Sequence, residues 1–337
     1  MPVRPRLTPA IAQTRRAVRE VLAELAPKKV LLAVSGGADS LALSAAVVFE
    51  AKKLKVEIAA AVIDHALQPN SEAVANQAAE RLRAIGVQEV VVERVAVRQT
   101  GEGLEAAART ARYKALEKIR LKQKAEWIVL GHNLDDQAET VLLGLARGSG
   151  LRSIAGMSAV DAERRLLRPL LDLPRQTLRQ ACADAGISFW DDPHNEDSKF
   201  ARVRVRKLAG ELEKNLGPGF AGALSRTAES AAEADEVITD LATKLVKKSL
   251  VKAGARQVSY QVATLSKAKA SVRRKALHII CQSAGAKNIS RTQILALDEL
   301  LTNWHGQKKS SLSGITVERV ANQLVVKSTK PLTPGAC

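Results

Sequence analysis

Three short segments hold residues whose types and spacing suit them to chemistry. The first is Ser35-Gly36-Gly37-Ala38-Asp39-Ser40, lying between two apolar runs, Lys29 to Val34 and Leu41 to Phe49. Two glycines let a backbone turn sharply and approach a ligand with no Cβ in the way. Amide N–H groups at a helix start carry partial positive charge and suit a phosphate. Ser35 and Ser40 add hydroxyls, and Asp39 adds a carboxylate that can hold a cation such as Mg²⁺. The segment therefore reads as a turn for the pyrophosphate of a nucleotide. The second segment is Gly131-His132-Asn133-Leu134-Asp135-Asp136-Gln137-Ala138-Glu139-Thr140. On a helix Asp136 and Glu139 share a face, as do His132 and Asp136 if the helix begins early. Such an acidic pocket suits a magnesium ion or an ammonium group. Acids in a first turn also cap a helix, which accounts for Asp135 and Asp136 but not for His132 or Glu139. The third segment places Arg109 and Arg112 three residues apart. A planar, always-charged guanidinium suits a phosphoryl transition state. Spacing leaves open which of the two faces inward.

These residues need a scaffold, and the surrounding periodicity supplies one. Helix 10–26 is followed by strand 29–34, helix 39–53, strand 56–63, helix 72–85, strand 89–95, helix 104–123, strand 126–130 and helix 135–146. Such alternation predicts a doubly wound α/β fold with a parallel sheet. Ligands bind such sheets beyond the carboxyl ends of the strands. Ser35–Ser40, Asp64-His65 and Gly131-His132-Asn133 all fall at such ends; Asp64-His65 could touch the adenosine there, although a lone histidine is more often structural. A helix opened by Pro174 follows. Next come an acidic loop, Asp191 to Asp197, and a basic segment with Arg202, Arg204, Arg206 and Lys207. Gly217-Pro218-Gly219 breaks the chain. Residues 220–250 read as one long helix, acids early and lysines late, which suits the macrodipole. Helices near 271–284 and 291–302 and strands at 314–319 and 323–327 complete a smaller α+β domain. The expected division is a catalytic domain 1–216, a linker helix 217–250, a basic domain 251–330 and a flexible tail 331–337.

Charge separates these parts. The chain has 337 residues and a net charge of +17. Residues 241–337 hold 17 Lys+Arg against 3 Asp+Glu, whereas residues 1–240 hold 35 against 32. A basic module on a near-neutral one suggests a polyanion partner. Its aromatics are only Tyr260 and Trp304, too few for a base-stacking platform. Cys182, Cys281 and Cys337 are far apart, with no C-x-x-C, so neither zinc nor an iron–sulfur cluster is indicated. A reducing cytoplasm fits. The N-terminus lacks the apolar core of a secretory signal, and no apolar run is long enough to span a membrane.

The Ser35–Ser40 loop has neither the G-x-x-x-x-G-K-[ST] nor the G-x-G-x-x-G spacing. It resembles the PP-loop of the N-type ATP pyrophosphatases, which split ATP between its α and β phosphates and activate a carbonyl oxygen as an adenylate. Together with the Gly131–Thr140 segment, Arg147-Gly148-Ser149-Gly150, Gly156-Met157 and Arg168-Pro169-Leu170-Leu171, it makes the chain similar to the tRNA(Ile)-lysidine synthetase family. The stretch from Asp192 to Arg206 adds a weaker match. The likeness covers about residues 25–215 and is looser beyond. Where the family usually shows D-H-G-L-R, this chain has Asp64-His65-Ala66-Leu67-Gln68. The family's S-N is His194-Asn195 here, and its R-N-x-I-R is Arg202-Val203-Arg204-Val205-Arg206.

The resemblance implies a two-step reaction on the wobble cytidine of an isoleucine tRNA with a CAU anticodon. ATP adenylates the oxygen on carbon 2, then the ε-amine of free lysine displaces AMP to give lysidine. It implies ATP at Ser35, Gly36, Gly37, Ala38, Asp39 and Ser40, with Mg²⁺ at Asp39. Asp136 and Glu139 would take lysine, with Arg112, His132, Asp136 and Glu139 in catalysis. Arg202, Arg204, Arg206 and Lys207 would contact tRNA, and no protein partner is implied. Three other readings fit the residues less well. A PP-loop tRNA thiolase needs a reactive cysteine, a cluster or a sulfur carrier, and no cysteine falls in these motifs. A non-catalytic RNA-binding protein would be expected to have lost Asp39, Asp136 or Glu139. A small-molecule amide ligase has no need of so basic a C-terminal third.

Overall fold

A computed structural model describes residues 7–66, 70–97, 103–148, 150–191, 199 and 201–331. Met1 to Arg6, Leu67-Gln68, Ser149, the Asp192–Asp197 part of the acidic loop with its His194-Asn195 pair, and the tail from 332 lie outside the described residues. The chain divides into two compact units, Met1–Gly148 with Ser153–Glu229, and Ser149–Arg152 with Ser230–Cys337.

The first unit is built on a six-stranded sheet of order β3-β2-β1-β4-β6-β5. Its strands are β1 (Lys29–Val34), β2 (Glu57–Asp64), β3 (Glu89–Arg94), β4 (Trp127–Leu130), β5 (Val160–Asp161) and β6 (Leu166–Leu167). Every neighbouring pair is parallel except β5 with β6. The sequence of β1 shows why the sheet is buried on both faces. Val30, Leu32 and Val34 join one apolar cluster with α1 (Pro9–Leu25), α2 (Ala38–Leu54) and α7 (Arg175–Asp184). Leu31 and Ala33 point the other way and pack with Leu116 and Ile119 of α4 (Leu104–Lys122). Side chains alternate along a strand, so a continuous apolar run is what a doubly covered strand requires. Leu32 is fully buried, and its truncation to alanine should cost about 2–5 kcal/mol.

The doubly wound α/β expectation therefore holds, and the strand order places a switch point between β1 and β4, where such sheets bind ligands. The remaining helices of this unit are α3 (Ser71–Ile85), α5 (Leu134–Arg147) and α8 (Ala201–Leu216), and the boundary of the two units falls within the short α6 (Leu151–Ile154). The long α9 (Phe220–Ser249) follows. Three local expectations need correction. Pro174 is the N-cap of α7 rather than its first residue. The first turn of α9 carries no acid, although Lys247 and Lys248 occupy its last turn; only the C-terminal half of the dipole reading applies. And α5 starts at Leu134 behind the cap Asn133, so His132 precedes the helix and shares no helical face with Asp136.

The second unit carries an antiparallel sheet of order β7-β8-β11-β10-β9. Its elements are β7 (Leu250–Ala253), β8 (Gln257–Gln261), α10 (Val262–Ser266), α11 (Ala270–Ser283), α12 (Arg291–Thr302), β9 (Ser310–Leu312), β10 (Ile315–Val320) and β11 (Gln323–Ser328). Tyr260, Leu277, Ile280, Leu297, Val317 and Leu324 form its core. β7, β8 and β9 add to the two strands expected; they run to only four, five and three residues, too short for a period of two to stand out in the sequence.

Candidate active site

The carboxyl ends of β1 and β4 open into a cleft of about 1020 Å³. On the β1 side the Ser35–Ser40 turn is closed by its own hydroxyls. Ser40 Oγ donates to the Gly37 carbonyl at 2.9 Å and accepts from the Ser35 N–H at 3.3 Å. Gly36 sits at φ +85°, and a Cβ there would lie 3.1 Å from the Ala78 methyl, so only glycine fits. The Trp190 N–H donates to the Gly36 carbonyl at 3.1 Å and steadies the turn from outside. Gly37 caps α2 without a side-chain hydrogen bond, which leaves first-turn N–H groups for a ligand anion. On the β4 side Gly131 lets the two segments touch: a Cβ there would lie 3.0 Å from the Asp39 carbonyl oxygen.

One wall of the cleft is acidic and carries its own cations. Asp39 Oδ2 accepts from Asn133 Nδ2 at 2.9 Å and lies 3.6 Å from Arg175 Nε. Asp39 Oδ1 is buried without a partner. Burial raises the Asp39 pKa to about 6, with Asp136 and Asp135 adding to the rise and Arg175 opposing it. Asn133 and Asp136 form a reciprocal capping box at the start of α5. Asp136 Oδ1 accepts from Arg175 Nη2 at 2.9 Å, and Asp135 Oδ2 accepts from the Arg175 N–H at 2.8 Å. Glu139 is 2% exposed, and its Oε1 accepts from Arg206 Nε at 2.6 Å. Burial pushes the Glu139 pKa up, and Arg206 resists that rise. The acid pair thus shares a face as expected, but in a pocket that already holds two guanidinium groups. Nothing in the sequence singled out Arg175; the nearest signal is its place just after Pro174, at a helix start.

The other wall is basic. Arg112 lines the cleft, and burial lowers its pKa, with Tyr113 opposing and Arg109 and Arg202 reinforcing. Arg109 is exposed instead; its guanidinium lies over the Tyr113 ring, 5.1 Å from the centroid. His132 is driven down to about 3 by burial first, then by Arg168, Arg112, Arg109 and Arg202. It is a neutral imidazole at pH 7, and its Nδ1 is buried without a partner. His65 is lowered by burial and Arg112, and its Nδ1 is likewise unpartnered. Arg168, from the Arg168–Leu171 motif, is 4% exposed and donates to the Ser158 carbonyl at 2.7 Å. Arg202, Arg206 and Lys207 project from α8 into the cleft lining. Arg204 is exposed and donates to the Lys199 carbonyl at 2.9 Å.

The residues fit a magnesium–nucleotide better than a protein-caged metal. Among the described residues no group of three or more His, Cys, Asp or Glu side chains could hold a metal ion. Mg²⁺ is commonly held by one or two carboxylates together with substrate phosphates. The unpartnered Asp39 Oδ1 beside the glycine turn fits that pattern.

Comparisons with known proteins match a family to each of two stretches of the chain. Residues 11–212 match the PP-loop domain family, and residues 261–325 match the TilS substrate binding domain. A tRNA(Ile)-lysidine synthase from Leifsonia xyli subsp. xyli (strain CTCB07) is 45% identical over 291 residues, covering 86% of this chain and 87% of that one. Another from Rhodococcus jostii (strain RHA1) is 46% identical over 310 residues, covering 91% of each. Among solved structures, the U34-tRNA thiolase NcsA from Methanococcus maripaludis, with its [4Fe-4S] cluster, aligns with a TM-score of 0.56 at 20% identity. That alignment covers 66% of this chain and 80% of the thiolase, and shows a shared fold.

Proposed function

The chain belongs to the tRNA(Ile)-lysidine synthase family, and we infer that it ligates lysine to carbon 2 of the wobble cytidine of an isoleucine tRNA with a CAU anticodon. In the first step the cytidine O2 attacks the α-phosphorus of ATP. An O–P bond forms, the α–β bridge breaks and pyrophosphate leaves. In the second step the lysine ε-amine attacks carbon 2. A C–N bond forms, the C–O bond breaks, AMP leaves with the oxygen, and the amine gives up a proton.

The observation that carries this reading is the meeting, in one cleft, of the glycine turn with Asp136, joined through Asn133, with Glu139 buried beside them against Arg206 of the cleft lining. The turn's N–H groups and the Ser35 and Ser40 hydroxyls hold the pyrophosphate. Asp39 holds Mg²⁺, which when bound offsets phosphate charge. Arg112 stabilises the α-phosphate and the departing AMP. Asp136 and Glu139 receive the lysine ammonium in exchange for part of their contact with Arg175 and Arg206. His132, neutral at pH 7, serves as a hydrogen-bond or proton acceptor rather than an acid. Arg202, Arg204, Arg206 and Lys207 meet the tRNA backbone near the target base.

The buried thiols favour ligation over thiolation. Cys182 donates to the Ala38 carbonyl at 3.3 Å, and burial raises its pKa to about 12. Cys281 is also pushed up to about 12 by burial. Neither is a thiolate at pH 7, as sulfur transfer needs.

Residues 1–216 then form the catalytic domain, 217–250 a linker helix and 251–330 the tRNA-binding domain. In the second unit Lys248 and Lys267 line a groove of about 430 Å³. Lys244, Lys248 and Lys269 line an adjoining one of about 330 Å³. None of the four lysines has an ion pair among the described residues, which suits contact with phosphates. No described helix is long and apolar enough to cross a membrane, and the reaction belongs in the cytoplasm. The test is an assay with ATP, labelled lysine and unmodified transcripts of isoleucine and methionine tRNA bearing CAU. Lysine incorporation into the isoleucine transcript alone, with one AMP per lysine, is the expected result. Incorporation of sulfur, or no incorporation at all, defeats the reading.

A further inference from the structure

Asn133 is fully buried and uses both ends of its amide. Its Oδ1 accepts from the Asp136 N–H at 3.0 Å, and its own N–H donates to Asp136 Oδ2 at 3.1 Å. An N-cap needs only the acceptor, which serine or aspartate would also supply. What asparagine adds is a donor, and Nδ2 spends it on Asp39 Oδ2 at 2.9 Å, across 94 residues of sequence. Arg175 closes the figure. Its Nε lies 3.6 Å from Asp39 Oδ2, and its Nη2 donates to Asp136 Oδ1. Asn133, Asp39, Arg175 and Asp136 therefore form a ring in which the loop carboxylate and the helix start are held to each other. Both neighbours engage Oδ2, and Oδ1 is left without a partner.

We propose that Asn133 is a positioning residue that fixes the Asp39 carboxylate so that Oδ1 meets the magnesium–nucleotide, and ties that orientation to the helix start carrying Asp136 and Glu139. The inference rests on the ATP-dependent reading given above. It separates two roles of one side chain. The acceptor half supports the fold, and the donor half supports the nucleotide site.

Asn133→Ser tests the separation. Serine keeps a good N-cap acceptor but is too short to reach Asp39. Full-length wild type and N133S are compared by calorimetric ATP binding with Mg²⁺ and with EDTA, by thermal unfolding, and by single-turnover adenylation with lysine KM measured alongside. Wild type should bind ATP more tightly with Mg²⁺. In N133S that magnesium-dependent increment should shrink about tenfold, the size expected for one hydrogen bond to a charged group. ATP binding in EDTA, lysine KM and the unfolding temperature should stay near wild type. Should N133S fold poorly, Asn133→Thr, also an N-cap acceptor that is too short to reach Asp39 and adds no charge, gives the same readout. An unchanged magnesium increment, or equal loss of ATP binding with and without Mg²⁺, overturns the inference alone. Wild type that neither binds ATP nor makes lysidine overturns the function and the inference together.

Discussion

The two walls of the cleft solve the cost of buried charge in opposite ways. On the acidic wall Asp39, Asp136 and Glu139 are neutralised within the protein by Arg175 and Arg206. On the basic wall Arg112 has no carboxylate within ion-pair distance among the described residues, and His132 and His65 shed their charge. Burying an unpaired charge is expensive, and a group that can neutralise does so. Arginine cannot, so the charge of Arg112 must be answered by whatever enters the cleft. The acidic wall works by exchange of cations, whereas the basic wall works by addition of an anion. Phosphate recognition should therefore depend steeply on single residues, and amine recognition less so.

The sharpest break of that comparison lies at Asp39, whose Oδ1 is buried without a partner. Asp39→Ala should lower adenylation by on the order of 10³-fold, the upper range for removing one preorganised electrostatic contact. The fold should survive, because the carboxylate it removes is already disfavoured by burial. Pyrophosphate release with tRNA present is the measurement. Near wild-type release from a protein of normal stability would detach the glycine turn from ATP.

Next in size is Arg112→Lys, which keeps the charge and loses the planar fork. A loss of about 10²-fold in adenylation rate is expected. Arg109→Lys should stay near wild type, because that guanidinium is exposed and stacked on Tyr113. The opposite ranking in a single-turnover assay would exchange the two arginines.

The walls should also answer acid with opposite signs. The folded Asp39 has a pKa of about 6 against 3.8 ordinarily, so the native state takes its proton first. Its contribution to stability is complete below 3.8 and is lost as pH rises through 6. The folded His132 has a pKa of about 3 against 6.5, so the unfolded chain takes that proton first. Its contribution is present above 6.5 and is lost as pH falls toward 3. From pH 7 to 5 the two terms amount to a gain of about 1 kcal/mol and a loss of about 2 kcal/mol. Urea unfolding of the ligand-free protein at both pH values checks this. His132→Gln should lose less stability on acidification than wild type, and Asp39→Asn should lose more. Parallel responses in all three proteins would mean that neither group is held as described.

How much of this was legible beforehand differs between scaffold and site. A run such as Lys29–Val34 can hardly be anything but a buried strand, and its glycine turn announces a phosphate. The basic segment after Ala201 hid a helix, because Val203 and Val205 alternate with Arg202, Arg204 and Arg206 and mask the helical period. The acid pair was visible from its spacing, but its counter-ions were not. Arg175 reaches Asp39 from 136 positions away, and Arg206 reaches Glu139 from 67. Contacts of that range arise where α5, α7 and α8 converge, and no local pattern encodes them. Asn133 was in plain sight within a motif, yet its second bond depends on how closely the loop passes Gly131.

The smallest effect should fall on the wall that already balances itself. Glu139→Gln leaves an oxygen to accept from Arg206 but removes the charge that draws an incoming ammonium. Lysine affinity should weaken about tenfold, near the lower end for a hydrogen bond between charged groups. Arg175, Asp136 and Asp39 remain in place, so ATP binding should change by less than about twofold, in keeping with a group outside the phosphate contacts. Rapid-quench measurement of the two steps separates these outcomes. If adenylation fails while lysine affinity holds, Glu139 serves the magnesium–nucleotide, and the acidic wall is a phosphate wall after all. If lysine affinity collapses far beyond tenfold, exchange with Arg206 contributes little, and the charge of Glu139 is the principal anchor for the amine.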